Sequence, residues 1–550
     1  MAGDPGQHWI GWQYFRYTPL LQWPIGANPD LGLEISSSVV FTDSIPLMAF
    51  LFKPLNALLP DTFQYTGLWI LICFSLQSFF AWKLLSLFTK DKLLPLIGSV
   101  FFIIAPIGLW RLGGHYSLFA QWTLLAGLYL YFTKKFSIFY WIGLLAATAL
   151  IHAYLLAMVL AIWSADLIQR FWLKQTGILK SLGYFFAGII TTVIVMWAAG
   201  YFMVGKGVEL KDVFGFSCLR MNLLAIIDPK DIYSTLLPVL KTASPLDDSD
   251  GFNFLGLGML GLGLIASYIL LRNIKIIPNT IPKAKLIPIL IISLGLFLYA
   301  ISNRIVIGPY ELLSYPLPPI TAPLTSTFRC SGRFFWPVYY AIYLAIFYLL
   351  FTRLKRSIAI TLCVMMLFVQ LIDSKDAWCT FRYQFAHSSA GELPMRSPAW
   401  NDIARQYIKI IVILPQNGDE NWISSFTTHQ YRGTVVTLPQ NGPTTWITLF
   451  AATHRMAINI GLFARTNPEK EQEAKEHIIT AISKNKLNSN SLYVFEDDPL
   501  WELASSRIGP SDVAGVLDGY RIIAPNLKEC KTCNTRAIAS ITLRGRHTLE

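Results

Sequence analysis

The sequence predicts a polytopic α-helical membrane protein of about ten spans, with a C-terminal soluble α/β domain on the outer face of the membrane. Three observations predict this class. Hydrophobic residues make up 54% of the 550 residues and charged residues only 14%, whereas a soluble domain carries about 25% charged residues. Apolar segments of spanning length recur up to residue 373 and then stop. Lysine and arginine cluster at every second junction between those segments.

A helix needs about 20 apolar residues to cross a bilayer. Segments near this length lie at 67–88, 93–111, 117–133, 136–151, 153–170, 182–204, 252–271, 285–302, 334–352 and 357–373. The stretch 136–170 is long for one helix and short for two, and we divide it at His152 because the orientation then becomes consistent. The apolar stretch 44–60 is interrupted by Pro46, Lys53 and Pro54, which predicts an interfacial or re-entrant helix.

The basic junctions lie at 90–92, 134–135, 170–180, 272–285 and 353–356. Basic residues beside spans mark the cytoplasmic side, so both termini are expected on the outer face. The net charge of +12 follows from these junctions, and no nucleic-acid partner is expected. An N-terminus on the outer face needs a segment to carry it there, so we expect a first span upstream that this sequence lacks.

Three regions follow from this pattern: a first outer loop at 1–66, a transmembrane domain at 67–373, and a soluble α/β domain at 374–550. "IKIIVILP" and "GTVVTLP" in the last region have strand character. "NPEKEQEAKEHIITAISK" predicts a helix capped by Asn467, with Pro468 in its first position. Cys530 and Cys533 predict a small structural disulfide, because a zinc site would need a second ligand pair.

The chain opens with polar and aromatic residues at a spacing of four, which a helix would align on one face. They are Asp4, His8, Trp12 and Arg16. Each alone is better explained as a solvated side chain or a lipid anchor. Together they place a carboxylate, an imidazole, an indole and a guanidinium on one stripe at a membrane surface.

Two further basic pairs lie at predicted outer junctions, again four residues apart. Arg329 and Arg333 stand where a span begins, and Arg111 and His115 flank a tight turn. Arginines in an aromatic belt often only reach the interface. Guanidinium groups also match phosphate oxygens in geometry and charge, so for Arg329 and Arg333 a phosphate clamp remains equally open.

Arginines suit a lipid phosphate, aromatic rings suit sugar rings, and a carboxylate can accept the proton of an attacking hydroxyl. This combination predicts glycosyl transfer from a lipid-phosphate sugar in the membrane, with Asp4 as base and no covalent intermediate. A transporter or lipid flippase is the main alternative and needs ionisable residues along a path through the bilayer. A non-catalytic scaffold for envelope polysaccharide assembly is the third hypothesis.

The whole arrangement resembles the GT-C superfamily of membrane glycosyltransferases. More narrowly, "GDPGQHWIGWQYFR", "VVFTDSIPLMAFLFKPL", "DGFNFLGLGML" and "FRCSGRFFWPVYYA" resemble a bacterial membrane family catalogued as domain of unknown function 6311. The resemblance implies a multi-pass protein of the bacterial cytoplasmic (inner) membrane with an extracytoplasmic C-terminal domain. It also implies a polyprenyl- or dolichyl-phosphate sugar as donor and a glycan or lipid as acceptor.

By position, Asp4 matches the acid that GT-C enzymes place in the first outer loop, and His8 and Arg16 match the polar residues that follow it. Glu34 and Asp43 are second acids of the same loop, and either could share Mg²⁺ or Mn²⁺ with Asp4. Some GT-C enzymes use a metal ion and others do not, so the requirement stays open. The candidate catalytic residues are Asp4 and His8. The candidate substrate-binding residues are Trp12, Arg16, Glu34, Asp43, Arg111, His115, Arg329 and Arg333. In the C-terminal stretch "THRMAINIGLFAR", the polar side chains are expected to make structural hydrogen bonds. These are His454, Arg455, Asn459 and Arg465.

Overall fold

The computed structural model describes residues 4–35, 37–204, 216–230, 232–242, 250–272, 283–387, 395–413, 426–431, 434–439, 443–495 and 498–527. At residues 4–5, 387, 426–431, 434–439, 443–444 and 498 it describes the backbone alone. The chain divides into two compact units. The first comprises residues 1–64, 197–208 and 388–550, and the second comprises residues 65–196 and 209–387.

The α-helices are α1 (Asp4–Phe15), α2 (Pro46–Phe52), α3 (Thr66–Leu85), α4 (Leu93–Ile103), α5 (Pro106–Arg111), α6 (Trp122–Phe132), α7 (Ile138–Ala149), α8 (Ala153–Trp172), α9 (Ile178–Ala199), α10 (Leu257–Arg272), α11 (Lys283–Ile301), α12 (Ala322–Thr327), α13 (Trp336–Arg353), α14 (Arg356–Asp373), α15 (Lys375–His387), α16 (Ala399–Gln406), α17 (Pro443–Thr453), α18 (Pro468–Ser483) and α19 (Asp498–Ser505). The strands are β1 (Arg304–Ile307), β2 (Tyr310–Ser314), β3 (Lys409–Ile413), β4 (Phe426–Tyr431), β5 (Thr434–Pro439), β6 (Ala457–Ile458), β7 (Ser491–Phe495), β8 (Val513–Leu517) and β9 (Tyr520–Ala524).

The chain is a multi-pass membrane protein: in its described part, seven helical segments are long and apolar enough to cross a bilayer. They are Thr66–Leu85, Leu93–Arg111, Ala153–Trp172, Ile178–Ala199, Lys283–Ile301, Ser331–Arg353 and Arg356–Asp373. The other three predicted spans coincide with shorter helices, α6, α7 and α10, of 11, 12 and 16 residues. Hydropathy does not indicate where a helix ends. The predicted span 117–133, for example, contains most of the 3-10 helix Tyr116–Phe119 and then the separate helix α6. A total of ten spans therefore stays a prediction.

The division at His152 is confirmed, because α7 ends at Ala149 and α8 begins at Ala153. His152 is the N-cap of α8, and its Nδ1 accepts a hydrogen bond from the backbone N–H of Tyr154 at 3.1 Å. The cap satisfies one of the backbone donors that have no partner inside a helix.

Tyrosines of α13 hold the segment 252–256 in place in the second unit. The Tyr339 hydroxyl donates to the carbonyl oxygen of Phe254 at 3.0 Å, and the Tyr343 hydroxyl donates to that of Leu255 at 2.6 Å. All of these groups are buried. Because a buried carbonyl needs a partner, the two hydroxyls determine where the chain leading from residue 250 into α10 lies.

The first unit contains a five-stranded sheet in the order β6-β3-β7-β9-β8. β3 runs parallel to β6 and β7, whereas β9 runs antiparallel to β7 and β8. β3 and β5 confirm the two strands predicted from "IKIIVILP" and "GTVVTLP". The predicted cap of α18 is also confirmed, since the Asn467 side chain accepts from the N–H groups of Glu469 and Lys470 and Pro468 is the first helical residue.

Helix α1 packs into the core of this sheet. Ile10, Tyr14 and Leu31 are buried in the same hydrophobic cluster as residues of β3, β6 and β7. The Tyr14 hydroxyl donates to the carbonyl oxygen of Met456 at 2.6 Å, and the N–H of Ile458 donates to the carbonyl oxygen of Asp30 at 2.9 Å. The N-terminal segment and the C-terminal α/β region therefore form a single core in this unit.

The predicted structural role of Asn459 is confirmed: its side chain exchanges two hydrogen bonds with the backbone of Val412, at 2.8 and 2.9 Å. The apolar stretch 44–60 forms α2 and the 3-10 helix Lys53–Leu58, which are shorter than a span. Its position in the interface stays a prediction. Cys530 and Cys533 lie outside the described residues.

Candidate functional site

Three chain segments of the second unit approach one another closely around residue 250. The N–H of Gly332 donates to the carbonyl oxygen of Leu219 at 3.0 Å. The Asn253 side chain donates to the carbonyl oxygens of Gly251 and Gly332, at 2.9 and 3.2 Å. A Cβ at Gly332 would lie 2.5 Å from the Cα of Gly251, and one at Gly251 would lie 1.9 Å from the carbonyl oxygen of Arg220. Only glycine permits this approach.

The approach brings Asp250 between two arginines. Arg333 donates from Nε to Oδ1 at 3.1 Å and from Nη2 to Oδ2 at 2.8 Å. Arg111 donates from Nη1 to Oδ1 at 2.9 Å. Arg111, Asp250 and Arg333 form what we term the charge cluster, with side chains 1%, 15% and 7% exposed. Two guanidinium groups share one carboxylate, so the cluster carries net positive charge.

Aromatic rings cover both guanidinium groups. The Cζ of Arg111 lies 5.1 Å from the ring centre of Trp336, and the Cζ of Arg333 lies 4.8 Å from that of Tyr154. The Tyr154 hydroxyl accepts a hydrogen bond from the backbone N–H of Cys330 at 2.9 Å, which fixes the ring. The rings stabilise the cations and limit the access of water to them.

Arg111 retains hydrogen-bonding capacity that the protein does not use. Its Nε and Nη2 are buried and have no hydrogen-bond partner among the described residues. The Nε1 of Trp336, beneath the same guanidinium, is also buried without one. Because a buried donor without a partner is costly, these three nitrogen donors are suited to binding an oxygen-rich anion.

The charges around Asp250 keep it ionised. Burial alone would raise the pKa of its carboxyl group, but Arg333, Arg111 and His115 outweigh burial and hold the pKa well below its usual range. The Cys330 thiol also hydrogen-bonds the carboxylate, and burial raises the pKa of that thiol to about 11. Asp250 is therefore an anionic counterion at neutral pH, not a proton acceptor.

Three of the residues predicted to bind substrate are thus brought together: Arg111, His115 and Arg333. Arg329 is exposed and lies four residues before Arg333, in the non-helical connection between α12 and the 3-10 helix Ser331–Phe335, outside the charge cluster. The sequence analysis did not single out Asp250, which is one of seven acids in the segment 205–251. The available signal was the Asp-Gly pair in "SDGFNFLG", since glycine next to an acid marks a close backbone approach.

The first unit holds the remaining candidates. Helix α1 comprises Asp4–Phe15, so Asp4, His8 and Trp12 share one helix at a spacing of four, and Arg16 follows its last residue. The side chain of Asp4 lies outside the described residues. His8 and Trp12 are buried, and the Trp12 Nε1 donates to the carbonyl oxygen of Phe63 at 3.1 Å.

Arg16 binds the end of the first loop. Its Nη1 donates to the carbonyl oxygens of Pro60 and Asp61, each at 3.0 Å, and its Nε donates to the Oδ1 of Asn56 at 2.5 Å. Its Cζ lies 5.5 Å from the ring centre of Trp12. These contacts hold the loop on α1, and binding of substrate by Arg16 stays a prediction.

Glu34 is exposed in the short 3-10 helix Leu33–Ile35. Asp43 ends the 3-10 helix Val39–Thr42 in a left-handed conformation, with φ of 51°. Its charge adds to burial in raising the pKa of Tyr201. Among the described side chains, no group of three His, Cys, Asp or Glu residues lies close enough together to bind a metal ion. The side chain of Asp4 is outside this set. A metal ion shared by Asp4 with Glu34 or Asp43 therefore stays untested.

Among curated proteins, no match is found. Among solved structures, the chain is similar to the archaeal oligosaccharyltransferase AglB from Archaeoglobus fulgidus, in complex with an inhibitory peptide and a dolichol-phosphate. That similarity has 10% sequence identity and a TM-score of 0.39, and it covers 96% of this chain and 71% of the other. A family model described as "Domain of unknown function (DUF6311)" matches residues 1–375, and the "DUF6311 C-terminal domain" matches residues 399–525. The chain belongs to the DUF6311 family.

Proposed function

We propose that the protein is a GT-C-type glycosyltransferase of the bacterial inner membrane. It moves a sugar from a polyprenyl-phosphate carrier to a glycan or lipid acceptor of the cell envelope, on the outer face. The observation that carries the proposal is the charge cluster, in which the buried guanidinium group of Arg111 has two nitrogen donors without a partner among the described residues.

The chemistry of the cluster favours a phosphate group over a neutral ligand. Asp250 holds the guanidinium groups of Arg111 and Arg333 in fixed positions in the free protein. A phosphate oxygen can accept from the Nε and Nη2 of Arg111 without displacing Asp250, since neither donor has a partner in the described part of the chain. Positive charge fixed beside the phosphate also stabilises it as the leaving group of glycosyl transfer. Arg329 and His115 are further candidates for contact with the donor.

In the reaction, the acceptor hydroxyl oxygen attacks the anomeric carbon, the bond from that carbon to the phosphate oxygen breaks, and the lipid phosphate leaves with the bonding electrons. A carboxylate must accept the hydroxyl proton as the attack proceeds. Asp4 is our candidate for this base, and His8 on the same helix is the second catalytic candidate. Any divalent metal, Mg²⁺ or Mn²⁺, would need Asp4 with Glu34 or Asp43.

A transporter or flippase, and a scaffold for polysaccharide assembly, are the alternatives. A transporter would use ionisable groups within its spans. Asp166 in α8 is such a group, but it accepts from the Nε of Arg170 at 3.0 Å and from the Nε1 of Trp141 at 2.9 Å. Arg170 in turn donates to the carbonyl oxygens of Thr133 and Lys134, at 2.7 and 2.8 Å. The hydrogen bonds of Asp166 and Arg170 connect α8 to the α6–α7 connection. A pair that is engaged in structural hydrogen bonds in this way does not favour a role in transport.

The test reconstitutes wild-type protein and an Asp4→Asn variant into vesicles that contain polyprenyl-phosphate sugars, and measures the polyprenyl phosphate released. Asp30→Asn, an exposed acid of the same loop, is the matched control. We expect turnover in the wild type and in Asp30→Asn, and its loss in a folded Asp4→Asn. Equal turnover in all three would remove Asp4 from the mechanism and direct attention to Glu34 and Asp43. A folded wild type inactive with every donor would contradict the glycosyltransferase proposal.

A further inference from the structure

The loop at residues 19–25, "PLLQWPI", presents an apolar surface and carries no charged residue. Leu20, Leu21 and Trp23 are 56%, 99% and 58% exposed, and Ile25 is 40% exposed. Four large apolar side chains exposed within six residues are costly in water, at about 25 cal/mol per Å² of apolar surface. Such a patch on one loop indicates a surface that is covered in the working protein.

The loop is fixed to the end of a membrane-spanning helix. The Trp23 ring packs edge-to-face on the ring of Trp197, with 4.7 Å between centroids. Trp197 lies in the last turn of α9, and the N–H of Gly26 donates to the carbonyl oxygen of Ala198 in the same turn at 3.3 Å. Because α9 is long and apolar enough to span, its last turn lies at a membrane surface, and the loop lies at that level too.

Helix α9 carries an exposed apolar stripe of its own. Ile190, Val193, Ile194 and Trp197 follow one another at helical spacing and are 55%, 46%, 55% and 52% exposed. On a spanning helix such a stripe faces lipid tails. Trp23 and Trp197 are the residue type that concentrates where the tails meet the headgroups.

Part of the loop is hydrogen-bonded from its inner side. The Gln22 Nε2 donates to the carbonyl oxygens of Ile25 and Ala27, at 3.1 and 2.7 Å. The Lys53 Nζ donates to the Oγ1 of Thr18 and the carbonyl oxygen of Pro19, at 2.6 and 2.9 Å. A carbonyl group that enters the membrane needs a partner within the protein, because lipid tails offer none, and the carbonyl groups of Pro19 and Ile25 have such partners.

We propose that residues 19–25 form a membrane wedge: Leu20 and Leu21 insert among the lipid tails, Trp23 lies at headgroup level, and the wedge anchors the first unit to the bilayer surface. The partner is the lipid bilayer itself. The inference depends on α9 spanning the membrane and not on glycosyl transfer, so it can fail or hold independently of the proposed function.

The test places the photoactivatable residue p-benzoylphenylalanine at Leu21 of the full chain. The protein is reconstituted into phosphatidylethanolamine–phosphatidylglycerol vesicles and irradiated, and mass spectrometry locates the adducts. Ile408 of the same unit is the matched control, because its aliphatic side chain is 61% exposed. Leu21 is almost fully exposed, so its substitution removes no packing and the fold is retained, which size-exclusion chromatography checks.

We expect lipid adducts at position 21 and none above background at position 408. A second probe at Leu20 should also give lipid adducts, whereas one at Gln22, which faces inward, should not. Protein–protein adducts at position 21 without lipid adducts would show that another protein covers the patch and would overturn the proposal. Equal lipid labelling at positions 21 and 408 would overturn it as well.

Discussion

Arg333 donates two hydrogen bonds to the carboxylate of Asp250, from Nε at 3.1 Å and from Nη2 at 2.8 Å, although the two residues are 83 positions apart in the sequence. This geometry fixes both the position and the plane of the carboxylate. The same carboxylate orients Arg111, so the arrangement of the charge cluster depends on Asp250.

We expect Asp250→Asn to destabilise the protein, because it leaves two buried guanidinium groups without a counterion. Removal of one partner from a buried ion pair costs about 3–5 kcal/mol. The free energy of unfolding in detergent, from reversible titration with a denaturing surfactant, checks this. Glu311→Gln is the control, since Glu311 forms an exposed pair with Arg304 at 2.6 Å and such pairs contribute about 0.2–1 kcal/mol. Equal effects of the two substitutions would contradict a role for buried charge.

We expect Arg111→Lys to spare stability and impair function. A lysine keeps the positive charge and can pair with Asp250, but it removes the Nε and Nη2 donors that have no partner in the described residues. Loss of a charged hydrogen bond costs about 1.5–3 kcal/mol, which corresponds to a roughly 10- to 100-fold loss in turnover of the lipid-phosphate donor. Arg304→Lys at the exposed pair is the control. If Arg111→Lys lost stability and turnover together, the role of Arg111 would be structural.

We expect Gly332→Ala to distort the charge cluster, because its Cβ would lie 2.5 Å from the Cα of Gly251 and 3.0 Å from the carbonyl carbon of Arg220. Backbone atoms on both sides leave no room, and such overpacking costs about 1–3 kcal/mol. Gly143→Ala within α7 meets no atom within 4 Å and should stabilise the protein by about 0.5–1 kcal/mol. Thermal unfolding of both variants in the same detergent measures the contrast. A Gly332→Ala variant as stable as the wild type would refute the close approach.

The stability of the protein should rise with pH in the alkaline range through Lys53. Burial lowers the pKa of Lys53 to about 8, whereas an unfolded lysine titrates near 10.4. Between these values the unfolded chain binds more protons than the folded chain, so the free energy of unfolding increases with pH. We therefore expect the wild type to gain stability relative to Lys53→Met from about pH 8 to about pH 10. A wild-type-to-variant difference that stays constant over this range would contradict the prediction.

Local signals in the sequence predicted individual elements well. The cap at Asn467, the start of α8 after His152 and the strand character of β3 each depend on neighbouring residues. The extent of α6 was not predictable from hydropathy, because residues 117–133 are mostly apolar and uncharged, whereas the 3-10 helix ends at Phe119 and α6 begins at Trp122. The mean hydropathy of a stretch does not indicate where its backbone conformation changes.

The candidate site was predicted in part. Arg111 and His115 were predicted from their spacing at a tight turn, and Arg333 was predicted from its position at the start of a span. Asp250 was not, since it is one of seven acids in the segment 205–251. Only the close packing at Gly251 and Gly332 selects Asp250 as the one that the arginines bind.

The sequence by itself determined that this is a membrane protein, where its apolar helices lie and which residue types line its polar junctions, because hydrophobicity and helical spacing act over one or two turns. Tertiary structure alone decided which charges meet. Arg16 binds backbone carbonyls of residues 60–61, whereas Arg111 and Arg333 share one buried carboxylate. The physical reason is that the energy of a buried charge depends on partners distant in the chain, and packing brings those partners into contact.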